Sequence, residues 1–440
     1  VLAAAGASVG LGNIWRFPYL AAKYGGGIFL IIYIVLALTF GYTMIVAETA
    51  IGRMTRKSPV GAFKSFGKKK WLSFGGWINA VIPVLIVPYY SVIGGWVIKY
   101  LVEYFRGNAK LLAEDGYFTD FISNGVSTEL CFVAFCAFTL IIIFAGVQNG
   151  IERVSKIMMP ILIVLSVIIA VYSVTRPGAL AGVKYFLVPN VKNFSWMTVV
   201  SAMGQMFYSL SIAMGILITF GSYMKKDTAI EDSTRNVEIF DTGIAIMAGL
   251  MIIPAVFAFS GGDPDTLQAG PSLMFITIPK VFQNMGFGTV IGIVFFLLVL
   301  FAAVTSSIAL TESAVSTFED ELGWGRKKAT VLVGVIMLAL GSLSSLGYGP
   351  LAGIKIIGMQ FLDLFDFLTN SVMMPIAALL TSLFVSRVVG IDKIEEEIIH
   401  GESAFRRKKV FVVMIKYLCP VFAIIILLSS VANALGWIKM

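Results

Sequence analysis

Long apolar stretches recur along this chain and constrain its fold more than any other feature. Eleven runs lie at roughly 1–23, 28–52, 73–104, 129–147, 153–175, 195–224, 238–260, 287–319, 329–346, 353–386 and 411–436. About 20 apolar residues cross the hydrocarbon core of a bilayer as an α-helix. Composition agrees, with 58% hydrophobic and only 13% charged residues. A soluble domain carries about 25% charged residues, so this chain has too few to cover a soluble globule of its size. The expected fold is all-α: a polytopic membrane protein of eleven transmembrane helices, forming one transmembrane domain over 1–440 within a lipid bilayer. Several runs exceed the span of a bilayer, which predicts tilted or protruding helices. Val1 is not an initiator methionine, and the first run starts without a flank, so a further N-terminal segment is expected. No cleavable signal pattern is visible.

Charge sits in the loops. Arg53, Arg56, Lys57, Lys64, Lys68, Lys69 and Lys70 follow the second run with no acid among them. Glu103, Glu114, Asp115, Asp120 and Glu129 follow the third, against Arg106 and Lys110. Arg406, Arg407, Lys408 and Lys409 precede the last run. Basic loops face the cytoplasm, so the N-terminus is expected inside and, after eleven crossings, the C-terminus outside. The net charge of +8 is then topology, and no nucleic-acid partner is needed. His400 is the one histidine, which argues against a His-based metal site or a Ser-His-Asp triad. Cys131, Cys136 and Cys419 lie in apolar runs and form no disulfide framework or CxxC motif.

Two runs carry helix-weakening clusters. The first holds Gly6, Ser8, Gly10, Gly12 and Asn13; the sixth holds Ser209, Ser211, Ala213 and Gly215. Glycine weakens helix by about 1 kcal/mol relative to alanine, and serine competes for backbone hydrogen bonds. The sixth run is the first after five, so the two clusters occupy corresponding places in halves of about 1–180 and 190–390, with an additional helix at about 411–436. Interrupted helices in corresponding positions point to a transporter with inverted repeats and a midplane binding site. No residue-by-residue repeat relates the halves.

Each cluster has a plainer reading. Gly6 and Gly10 form a GxxxG pair suited to close helix packing, but that leaves Asn13 and Arg16 unexplained, and polar groups inside a membrane are costly. The serines of the sixth run could bond back to their own helix; together with Gln205 and Tyr208 they read better as a pocket wall. Thr305 and Ser306 follow Ala302, and hydroxyl and carbonyl oxygens without histidine or thiolate suit a hard cation, a monovalent one when carboxylates are few. Among the acids Glu48, Asp241, Asp320 and Asp366, Asp320 sits in an acidic helix end. Asp241 could simply start the seventh helix, favoured by the helix dipole.

The sequences G-L-G-N-I-W-R-F-P at 10–18, Gly25-Gly26-Gly27, G-I-E-R-V-S-K at 150–156 and Thr305-Ser306-Ser307 resemble the neurotransmitter:sodium symporters. The match runs in order over nearly the whole chain and is closest to the eleven-helix bacterial branch, which implies the bacterial inner membrane. The resemblance implies two sodium sites. The first would use Asn13, the Ser8 carbonyl, Ser209, Asp241 and the substrate carboxylate. The second would use carbonyls of Gly6, Val9 and Ala302 with the hydroxyls of Thr305 and Ser306. The substrate carboxylate would meet Leu11, Gly12 and Tyr90, and its ammonium the carbonyls around Ser8, Tyr208 and Ser211. Ile86, Tyr90, Tyr208, Ala213, Met214, Ser306 and Leu310 would line the side-chain pocket. Arg16 and Asp366 would form an outer gate, and Tyr223 and Asp320 part of an inner one. Monoamine carriers of the family have an aspartate where this chain has Gly10, so the substrate must bring its own carboxylate. Met214 is flexible and Ala213 is small, which implies a broad hydrophobic pocket. Tyr33, Gln205 and Ser209 match chloride-site positions, where an ionised Asp241 would replace the anion.

The expected function is sodium-coupled, chloride-independent symport of hydrophobic or aromatic L-amino acids, with no obligatory protein partner. A proton-coupled amino-acid transporter is the nearest alternative. A channel would need a continuous polar pore, and an intramembrane enzyme would need a nucleophile and base that the chain lacks.

Overall fold

The computed structural model describes residues 8–262 and 271–437, so Gly6 lies outside the described residues. In chain order the main helices are α1 (Gly12–Arg16, π-wound, continuing as Phe17–Lys23), α2 (Gly27–Thr55), α3 (Lys70–Phe105), α4 (Gly125–Phe144) and α5 (Val147–Val174). They continue as α6 in two pieces, α6a (Trp196–Ser209) and α6b (Ile216–Tyr223), then α7 (Ile230–Ser260), α8 (Gly288–Leu322), α9 (Arg326–Leu346), α10 (Phe361–Val389) and α11 (Lys408–Ala434). Nine of these are unbroken helices long and apolar enough to cross a membrane, counted among the described residues. The other two are α1 and α6, the runs singled out for their glycine and serine clusters.

Two boundaries differ from expectation for physical reasons. The tenth run begins at Phe361 rather than near 353, because Ile357 and Gly358 take left-handed backbone angles and Ile356 pairs with Met359 across a tight turn. The seventh begins at Ile230 rather than near 238. Its charged first turns, with Glu231 and Asp232, continue the helix beyond its apolar stretch. Asp241 therefore sits inside α7, fully buried, and does not start it.

The breaks are real interruptions. Val9 and Gly10 bend the chain before α1. In α6 the chain leaves helix after Ser209, and Ser211, Ala213 and Gly215 take φ of +54°, +58° and +72°. A left-handed non-glycine residue costs about 1–2 kcal/mol, so neighbours must hold this turn. One of them is Glu48 of α2, buried, whose Oε1 accepts the Ala213 amide at 2.8 Å.

α3 and α8 are the most buried helices and α11 the least, so α3 and α8 form the centre of the bundle. α2 and α6b touch backbone to backbone. A Cβ on Gly52 would lie 2.0 Å from the Ile218 carbonyl oxygen, and one on Gly221 would lie 2.5 Å from that of Thr49. Small residues permit this approach between membrane helices.

Candidate functional site

The breaks in α1 and α6 meet at a cavity. Ser8, Gly10, Leu11 and Gly12 line it from the α1 break, and Tyr208, Ser209, Ser211 and Met214 from the α6 break. Ile86 and Tyr90 of α3 and Ser306 and Leu310 of α8 complete it, with Asn13 and Ile216. All but one of the residues expected around a substrate are therefore brought together. Ala213 is the exception. Its amide turns toward Glu48, and the left-handed turn carries it out of the lining. Asn13 and Ile216 join in its stead.

Glycine matters at two positions here. A Cβ on Gly10 would lie 2.5 Å from Ser306 Oγ and 3.1 Å from the Tyr90 hydroxyl, so any side chain there would have to displace Ser306. A Cβ on Gly12 would lie 2.4 Å from the Tyr208 ring. The Leu11 amide donates to the Tyr90 hydroxyl at 3.3 Å.

Beside the cavity lies a buried carboxylate with three polar partners. Asp241 Oδ1 accepts from Ser209 Oγ at 2.6 Å and from Asn13 Nδ2 at 2.8 Å; Oδ2 accepts from the Tyr33 hydroxyl at 2.7 Å. Asn13 Nδ2 also reaches Ser209 Oγ at 2.9 Å, while Asn13 Oδ1 accepts the Gly10 amide at 3.1 Å. Gln205 Nε2 donates to the Gly12 carbonyl at 3.0 Å. Ser209 of the α6 break thus serves a neighbouring acid.

A second oxygen cluster joins α1 to α8. Ser306 Oγ donates to the Val9 carbonyl at 3.2 Å, and Thr305 Oγ1 to the Phe301 and Ala302 carbonyls at 3.0 and 3.1 Å. The four expected oxygens of the described residues thus meet in two pairs, Ser306 with Val9 across helices and Thr305 with Ala302 within α8. Hydroxyl and carbonyl oxygens of this kind suit hard cations, and no group of three or more His, Cys, Asp or Glu side chains that could hold a metal ion exists among the described residues.

The expected gates are rearranged. Arg16 lies over the Tyr208 ring at 5.3 Å and is not ion-paired with Asp366. Asp366 Oδ1 instead accepts from Asn370 Nδ2 at 2.6 Å and from the Tyr89 hydroxyl at 3.2 Å. Tyr223 and Asp320, expected as parts of an inner gate, each have other partners. Asp320 Oδ2 accepts the Ser58 amide at 2.5 Å, capping the short helix Pro59–Lys64. The Tyr223 hydroxyl donates to Glu312 Oε1 at 2.7 Å, and Arg326 reaches Glu312 at 2.6 and 3.1 Å. Glu312 is a buried acid within α8 that the motif reading passed over. Its signal was present, because a carboxylate inside an apolar run is a functional hypothesis by default.

A model of the sodium:neurotransmitter symporter family matches residues 1–111 and 118–437. The chain belongs to that family. Sodium:neurotransmitter symporter relatives span it almost completely. An uncharacterized sodium-dependent transporter of Bacillus subtilis, YhdH, is 34% identical over 435 residues, covering 98% of this chain and 96% of the other. The crystal structure of MhsT in complex with L-phenylalanine superposes with a TM-score of 0.87 at 35% identity, covering 98% of this chain and 97% of that one. The human sodium- and chloride-dependent GABA transporter 2 is 26% identical over 463 residues, covering 90% of this chain and 73% of its own. This member of the sodium:neurotransmitter symporter family is thus an integral membrane, sodium-coupled symporter of a small molecule and not an enzyme.

Proposed function

We propose that this symporter takes up hydrophobic or aromatic L-amino acids, driven by two sodium ions and without chloride. The observation that carries the reading is the Asp241 carboxylate, held by Tyr33, Ser209 and Asn13 at the edge of the α1–α6 cavity. Two of the expected chloride-site donors, Tyr33 and Ser209, are thereby spent on a carboxylate. An ionised Asp241 supplies fixed negative charge there, and an adjacent sodium offsets the several kcal/mol that burying such a charge costs.

The first sodium would sit among Asp241, Ser209, Asn13 and the Ser8 carbonyl. Asn13 turns its Nδ2 toward Asp241 and its oxygen toward Gly10, so a half-turn of the amide would present Oδ1 to the ion. The second would use Val9, Ala302, Thr305 and Ser306, with Gly6 as a further expected ligand. The substrate carboxylate would meet the amides of Leu11 and Gly12 and the Tyr90 hydroxyl, and the ammonium the carbonyls around Ser8, Tyr208 and Ser211. The crowding at Gly10 supports a substrate that brings its own acid. MhsT, solved with L-phenylalanine, supports an aromatic side chain among Ile86, Met214 and Leu310. The halves at about 1–180 and 190–390 would alternate around this site, with the chain in the bacterial inner membrane, N-terminus inside and C-terminus outside.

Sodium-driven uptake into proteoliposomes, with chloride exchanged for gluconate, tests this. The parent is expected to transport equally in both anions. Asp241→Asn is expected to lose most uptake in gluconate and to regain part of it in chloride. Tyrosine should compete for uptake and tyramine should not. A parent that stops in gluconate would refute the anion replacement, and competition by tyramine would refute the carboxylate assignment.

A further inference from the structure

One buried acceptor in α10 lacks a donor. Asn370 sits in the π-wound turn Phe367–Met373, and turns of this kind gather at functional sites. Its Nδ2 donates to Asp366 Oδ1 at 2.6 Å and to the Tyr89 hydroxyl at 3.3 Å. Its Oδ1 is buried and takes no hydrogen bond among the described residues. Buried polar atoms are nearly always paired, so one left over asks for an explanation. Flipping the amide does not supply it, because two acceptors would then face each other across the bond to Asp366.

Asp366 is held through one oxygen only. Oδ1 takes Asn370 at 2.6 Å and the Tyr89 hydroxyl at 3.2 Å, and the carboxylate is otherwise exposed. Tyr89 is buried and directly precedes Tyr90, which lines the cavity. The support of this acid and the wall of the cavity are therefore consecutive residues of α3.

A cation stands nearby. Arg16 of α1 lies over the ring of Tyr208 at 5.3 Å, and Tyr208 lines the cavity. Arg16 is near enough to Asp366 for their charges to interact, yet the two form no ion pair. A guanidinium presents five N–H donors in a fixed fork. Asp366 Oδ2 and Asn370 Oδ1 offer that fork two acceptors, on side chains already joined by the 2.6 Å bond.

We propose that Asn370 is a gate residue of this transporter, positioning Asp366 through Nδ2 and accepting Arg16 at Oδ1 when the cavity closes. The closed gate is then a guanidinium on two acceptors rather than on a carboxylate alone. This rests on the uptake reading above, in which the cavity shuts on one side before it opens on the other.

Gly204 of α6a provides the readout. A Cβ there would lie 3.9 Å from Arg16 Nη2, so the thiol of Gly204→Cys reports access past Arg16. Its labelling by a membrane-impermeant maleimide is measured in sodium, with and without L-phenylalanine, and the same protein without Gly204→Cys gives the background. Phenylalanine should slow the labelling. Asn370→Leu should remove that protection and speed the release of bound radiolabelled phenylalanine at least about tenfold, the loss expected for a hydrogen bond to a charged group. Tyr89→Phe, which takes one donor from Asp366, should act in the same direction and less. With Arg16→Gln present, Asn370→Leu should add almost nothing, because residues that share a contact are not additive. Labelling and release unchanged by Asn370→Leu would overturn the proposal. An effect equally large with and without Arg16 would make Asn370 a packing residue and overturn it too. A protein that binds no phenylalanine would sink the substrate reading alone. Labelling in sodium by itself then decides the gate, and Asn370→Leu is expected to be labelled faster than its parent.

Discussion

At the residue scale, oxygen placement and backbone strain decide what substitutions do. Thr305 and Ser306 bring two hydroxyls to the Val9 and Ala302 carbonyls. Thr305→Val with Ser306→Ala removes both while roughly keeping shape. Bonds to a charged partner are worth about 1.5–3 kcal/mol each, so the sodium concentration for half-maximal uptake should rise at least about tenfold. An unchanged sodium titration would remove this cluster from the transport site. Ala213 behaves differently from its sequence expectation. Glycine there does not enlarge the cavity, because Ala213 does not line it. It relieves the φ of +58°, and a left-handed alanine costs about 1–2 kcal/mol. Ala213→Gly should therefore raise the thermal midpoint and leave the competition profile among amino acids unchanged. A profile shifted toward larger side chains would restore Ala213 to the pocket wall.

At the element scale, α8 and α9 are tied by a buried charge. Glu312 has no exposed side-chain surface, and Arg326 is largely covered. Removing one partner of such a pair is worth about 3–5 kcal/mol, because the other charge is left buried and unpaired. Arg326→Ala should lower the thermal midpoint sharply, and adding Glu312→Gln should recover much of the loss. Equal melting of the single and double variants would mean that the pair carries no such strain. The helices themselves were legible in the sequence, because apolar length is a local property. So were the breaks, since glycine and serine act on their own turn of helix. The residues the resemblance assigns to a substrate, Ala213 excepted, line one cavity. The gates were not legible. Which acid an arginine or tyrosine meets depends on how helices far apart in sequence are set against each other, and Tyr223 meets Glu312 across 89 positions of chain. The start of α7 was misplaced because its first turns are charged, and charge reads as loop until packing shows otherwise.

At the scale of the whole molecule, the chain divides into parts that pack firmly and parts that are held in unfavourable geometry. α3 and α8 form the buried centre, and the cavity opens where α1 and α6 depart from helix beside them. The short helix Ile391–Ile399 before α11 straps the basic edge together: Arg53 of α2 pairs with Glu397 at 2.7 Å, and Glu397 also takes Lys226 at 2.6 Å. The mutual glycine contact of α2 and α6b has a dynamic consequence. With backbones touching at Gly52 and Gly221, neither helix can open its hydrogen bonds without disturbing the other, so the two should behave as one cooperative unfolding unit. The turn at Ser211–Gly215 has no helical ladder to protect it. In amide hydrogen–deuterium exchange, residues 42–55 and 216–223 should therefore become labelled together and slowly, and Gly52→Val should accelerate both, while the Ser211–Gly215 turn, apart from the Ala213 amide held by Glu48, exchanges on a faster clock of its own.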